Sequence, residues 1–163
     1  MMRFQISFAV GTLTVFLIAA AQPAVSADMA FHPASTDAEL ALDRVLKTAD
    51  GDRRIPDNLF HRAPVPAALR VVYARLLTPA FLASLRQQER ALVQKDCGGV
   101  YRSGEICGFD YNPITCAQDV ASSFAYETLR DTGKTAIIGW QGNTYMLMHE
   151  RGAWKLARVS CAH

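Results

Sequence analysis

The sequence predicts an α+β domain with its helices first and a four-stranded antiparallel meander second. Three observations carry this. Apolar residues recur at helical spacing through the first part of the chain, up to about Lys95. Beyond Ala121 the pattern becomes four short runs rich in β-branched and aromatic residues, separated by glycine turns. Between the two halves lies a glycine-rich stretch holding three of the four cysteines, Cys97, Cys107 and Cys116.

Residues 1–27 read as a secretory signal peptide. Arg3 supplies a positive start, Ile6 to Ala21 is an apolar run, and Val25-Ser26-Ala27 offers small residues for cleavage before Asp28. The run is shorter than the ~20 residues of a spanning helix. No basic stop-transfer cluster follows it, since the next cation is Arg44. The mature chain is expected outside the cytosol, in the periplasm of a two-membrane cell, and not membrane-spanning once cleaved.

Thr36-Asp37-Ala38-Glu39 has the form of a capping box and opens a predicted helix to about Ala49, with Leu42, Val45, Leu46 and Ala49 on one stripe. Gly51 marks its stop, and Pro56, Pro64 and Pro66 mark a linker. Residues 28–63 therefore form an N-terminal helix and linker. From Pro66, Leu69, Val72, Tyr73 and Leu76 define one buried face of a second helix. Thr78-Pro79 is an N-cap followed by proline at the first helical position. The third helix turns Leu82, Leu85 and Leu92 inward and Arg86, Gln87 and Arg90 outward.

Asp96 to Gln118 reads as a long loop. The strands are expected at Phe124 to Arg130, Lys134 to Trp140, Thr144 to Glu150 and Trp154 to Cys161, joined by turns at Gly133, Gly142 and Gly152. An even number of cysteines in an exported chain points to two disulfides. Three pairings are open. The favoured one joins Cys97 to Cys107 and Cys116 to Cys161. A structural zinc site fits less well, because no close Cys-x2-4-Cys pair occurs.

Charge narrows the function classes. The chain carries 17 Lys plus Arg against 15 Asp plus Glu. That near-balance lacks the surplus a nucleic-acid-binding surface uses to neutralise phosphate. The bases are concentrated: Arg44 to Arg102 holds 11 of them with five acids. A basic helical face of this kind suits an acidic partner or an anionic envelope surface.

Catalytic signatures are missing. There is no G-x-S-x-G nucleophile turn and no H-E-x-x-H metal motif. Gly99 to Gly104 has glycine spacing like a phosphate loop, but Glu105 stands where lysine is required. Four residues are candidates for proton transfer: Asp110, Asp119, Tyr126 and His149. Such a role needs one of the carboxylates buried in an open pocket, where its pKa rises. For binding, Tyr101, Phe109 and Tyr111 crowd a disulfide-stiffened loop, and Trp140 marks the sheet. A rigid loop bearing aromatics loses little entropy on docking. No metal or cofactor is called for.

Thr78-Pro79-Ala80-Phe81-Leu82, Phe109-Asp110-Tyr111-Asn112-Pro113, Gln118-Asp119 and Gly152 to Val159 together resemble a group of small exported bacterial proteins within the nuclear transport factor 2-like (cystatin-like) superfamily. The likeness covers about residues 64–161, so residues 64–163 are expected as that α+β domain. It implies a curved, cone-like sheet wrapped around helices with a cavity inside, and it makes the 36–49 helix an N-terminal addition. It supplies no catalytic residue set, and fold alone does not settle function. The expected function is a non-enzymatic binding module of the cell envelope, such as an inhibitor or immunity protein, holding a protein partner or small ligand. The alternative is a cofactor-free isomerase or hydrolase using the cone cavity.

Overall fold

The computed structural model describes residues 30–51, 67–100, 107–119, 121 and 123–162. The signal-peptide reading, the 52–66 linker and Tyr101 lie outside them. Three helices, α1 (Asp37–Gly51), α2 (Ala67–Leu76) and α3 (Pro79–Cys97), precede four strands, β1 (Glu127–Asp131), β2 (Thr135–Trp140), β3 (Asn143–Glu150) and β4 (Ala153–Ser160). The strands pair antiparallel in the order β1-β2-β3-β4. Register shifts between Thr128 and Arg130, and between Met146 and Leu147, mark bulges that curl the sheet without closing it. The helices cover one face, all three reaching β4.

α1 starts where the capping box predicts. The Glu39 amide donates to Thr36 Oγ1 at 3.2 Å, and the Thr36 amide donates to Glu39 Oε2 at 3.1 Å. Its stripe Leu42, Val45, Leu46 and Ala49 is buried in the single core shared with α2, α3 and the sheet. The helix that the resemblance makes an addition is thus a core element. α3 opens on Thr78, whose Oγ1 accepts the Phe81 amide, with Pro79 in the first turn, and ends at left-handed Gly98.

α2 departs from the predicted face. Tyr73 is buried and Leu76 packs against the core as expected, and the side chain of Leu69 lies outside the described residues; but Val72 is 39% exposed, and the next fully buried residue is Leu77, just past the helix end. Leu77 bridges Leu156 in parallel, and the Thr78 amide donates to the Leu156 carbonyl at 2.9 Å. This docking of the α2–α3 junction on the outer edge of β4 sets the helix rotation and covers an otherwise open strand edge. The other edge is covered at its start by His32, which exchanges both backbone hydrogen bonds with Tyr126. β1 therefore begins at Glu127 and not at Phe124, because Phe124 turns in to stack on Trp140.

Both disulfides are present, Cys97–Cys107 and Cys116–Cys161. The loop between them is further fastened to α1. Asn112 Nδ2 donates to the Ala49 carbonyl, occupying a helix-end acceptor, while its Oδ1 accepts the Ile114 amide. Asp50 Oδ1 accepts the Ala121 amide at 3.0 Å. On α3, buried Glu89 accepts the Phe109 amide at 2.9 Å. Gly108 sits at φ +90° with its Cα against that carboxylate, so a Cβ there would collide with it.

Candidate functional site

Among the described residues, the interior around Tyr126 is packed with side chains and is not an open cone cavity. Trp140, Tyr73, Tyr126 and Tyr145 fill it together with the aliphatic core. A solvent-open concave surface lies where α1 and α2 meet the β3–β4 hairpin. A groove of about 720 Å³ is bounded there by Leu40, Asp43, Arg44, Arg75, Leu76, His149 and Trp154. A second hollow of about 440 Å³ continues it between the two helices and shares Arg44, Arg75 and Leu76, adding Lys47 and Val72.

Helical spacing builds this surface. Leu40, Arg44 and Lys47 follow each other at i, i+4 and i+7 along α1, beside the buried stripe. Val72, Arg75 and Leu76 form the facing row on α2. On the hairpin His149 is paired across the strands with Trp154, ring centroids 5.2 Å apart. Leu40 is 44% exposed, so with Val72 the groove offers aliphatic surface to solvent.

The charges are unequally engaged. Asp43 accepts the Tyr126 hydroxyl at 2.9 Å and pairs with Lys47 Nζ at 2.9 Å. Among the described residues neither Arg44 nor Arg75 forms an ion pair. Burial, then the hydrogen bond to anionic Asp43, pushes the Tyr126 hydroxyl far above its ordinary pKa. Burial does the same to Tyr145. Both phenols stay protonated at neutral pH and serve as fixed donors. Next to Asp43 along the helix, Glu39 is fully buried and receives the Thr128 hydroxyl at 2.6 Å, the Ser35 amide and hydroxyl at 3.0 Å, and the Thr36 amide. Burial alone would raise its pKa, but these hydrogen bonds outweigh that and hold it below the ordinary carboxylate value. His32 Nε2 lies 3.5 Å from it.

The four predicted acid–base residues do not form one site. Asp110 and Asp119 are exposed on the loop, and neither lines the groove. The condition of a buried carboxylate in an open pocket is not met at either. His149 reaches the groove and is exposed, and Tyr126 is buried behind Asp43. The binding residues divide similarly. Phe109 and Tyr111 meet edge to face at 5.7 Å, with Phe109 packed on the core and Tyr111 in a smaller cleft of about 320 Å³. Trp140, expected at a binding surface, is 1% exposed. It stacks on Phe124 at 5.1 Å and tilts against Tyr145, so it belongs to the core.

Sequence reasoning missed the groove residues Asp43, Arg44 and Arg75. The available signal was the basic stretch from Arg44 to Arg102, which contains both arginines but does not say that they face one groove. Among the described residues no group of three or more His, Cys, Asp or Glu is placed to hold a metal ion, and no helix is long and apolar enough to cross a membrane. Set against protein-family models, curated proteins and solved structures, the chain matches none. The likeness to the nuclear transport factor 2-like superfamily rests on the short motifs quoted above.

Proposed function

We propose that this protein is an exported, non-enzymatic binding module of the cell envelope, an inhibitor or immunity protein of the periplasm. Its binding surface is the groove between α1, α2 and the β3–β4 hairpin. The observation that carries this reading is the groove's composition. Two guanidinium groups without a carboxylate partner among the described residues stand beside solvent-exposed Leu40 and Val72. Exposed aliphatic surface next to unpaired arginine is costly to maintain unless something covers it, and arginine is enriched where partners dock. Two disulfides fit an oxidising compartment. Enzymatic use has less support, because the groove's Asp43 is already committed to Lys47 and Tyr126.

Affinity purification from envelope extract tests it, comparing the mature oxidised protein with the R44E/R75E double variant. The expected result is a stoichiometric partner that the variant fails to retain. Equal retention by both proteins would move the binding surface elsewhere.

A further inference from the structure

We infer that the groove holds a single-chain anionic amphiphile, its headgroup on Arg44 and Arg75 and its tail along Leu40, Val72, Leu76 and Trp154. This rests on the reading of the groove as the binding surface, and makes its occupant a small ligand in place of a protein partner. The planar guanidinium fork matches carboxylate or phosphate oxygens, and both arginines line the larger groove and the smaller hollow alike. The acids nearby do not cancel them. Asp43 is neutralised by Lys47 and hydrogen-bonded by Tyr126. Asp37, in the first turn of α1, lines the larger groove but not the hollow between the helices, so the two arginines outnumber the one acid without an ion pair among the described residues.

The apolar part is equally specific. Leu40, Val72 and Leu76 lie on the facing rows of the two helices, and Trp154 closes the end toward the hairpin. From Leu40 to Lys47 the α1 side of the groove runs about 10 Å at the helical rise per residue, a length suited to a medium alkyl chain. Volumes of about 720 and 440 Å³ fall in the range of small-molecule sites. The larger groove is the more enclosed of the two and the hollow between the helices is shallow, so a monomeric ligand is distinguished from a bilayer by experiment.

The test uses the mature, oxidised protein and dodecanoate below its micelle-forming concentration, read by calorimetry and tryptophan fluorescence. Trp140 is buried, so the spectral change reports Trp154, the chain's second tryptophan. Saturable one-site binding is expected. Dodecyl maltoside, with the tail but no charge, and acetate, with the charge but no tail, should each bind at least about tenfold more weakly. R44A/R75A should lose binding by about tenfold or more with an unchanged melting temperature, since both side chains are exposed. W154F should lose the fluorescence change and keep the calorimetric signal. Equal affinity for dodecanoate and the maltoside, or unaltered binding by R44A/R75A, overturns the inference. Binding to phosphatidylglycerol vesicles without binding to monomeric dodecanoate also overturns it, assigning the surface to a bilayer. If dodecanoate does not bind while a captured envelope protein still depends on Arg44 and Arg75, this inference fails and the binding-module reading stands. If neither binds, both fail.

Discussion

Replacing Glu39 tests the reasoning about the fold most directly, because one buried carboxylate joins three separate pieces of chain. It accepts from Ser35 and Thr36 before α1, from Thr128 in β1, and stands 3.5 Å from His32 at the sheet edge. In Glu39→Ala the Ser35 and Thr36 amides are exposed and water can reach them, so losing that half of the capping box costs about 1 kcal/mol. The Thr128 hydroxyl is half-buried and gives up a short bond to a charged acceptor, worth about 1.5–3 kcal/mol. Relief of carboxylate desolvation offsets part of this. The net expectation is a loss of about 3 kcal/mol, or roughly 10 °C in Tm for a domain of this size. Urea unfolding of the mature oxidised protein, followed by circular dichroism, measures it. The pH dependence gives a second readout. Because the folded-state pKa of Glu39 is lowered, its contribution is fully present above the ordinary carboxylate value and is lost as pH falls through the lowered one. Glu39→Gln should flatten that acid limb. An Ala variant within about 0.5 kcal/mol of the parent, the ordinary range for a surface change, would refute this account of the buried knot.

Breaking the two disulfides should cost unequal amounts. The chain-entropy estimate gives about 4 kcal/mol for C116S/C161S, whose cysteines are 45 residues apart, and about 3 kcal/mol for C97S/C107S, 10 apart. Denaturant midpoints for the two variants check the order, and the reverse order would count against the estimate. Tyr126 and Tyr145 have raised folded-state pKa values, so the stability they contribute is present below about pH 10 and is lost as pH climbs beyond it. Absorbance near 295 nm should show a late tyrosinate step coinciding with loss of ellipticity; all five tyrosines titrating near pH 10 in an intact fold would defeat this.

Much of the fold was legible because its signals are local. The capping box at Thr36, the Thr78-Pro79 start and the three glycine turns each act within a few residues, and each appears where the sequence placed it. The even cysteine count indicated two disulfides, and their pairing followed the loop's two ends. What failed was decided across the chain. Val72 satisfies the helical period of a buried residue, yet the docking of Leu77 and Thr78 on β4 turns it outward. Nothing local in the sequence marks Glu89 on α3 as buried; its partner, the Phe109 amide, lies 20 positions away.

The same distinction applies to the candidate site residues. Asp110, Asp119, Tyr126 and His149 are candidates by residue type alone. Alternation does put His149 on the face of Tyr145 and Leu147, but it does not say that this position is exposed at a groove beside the first half of α1. Nor does it say that Asp43, 83 residues before Tyr126, takes the phenol's hydrogen bond. Once Asp43 is bound by Tyr126 and Lys47, its charge is satisfied within the fold, and Arg44 and Arg75 face only Asp37 as a groove acid without an ion pair among the described residues. The electrostatic character of the groove therefore depends in part on which acid the buried tyrosine engages. Removing that hydroxyl in Tyr126→Phe should make Asp43 more available to the groove and weaken anion binding there without touching either arginine.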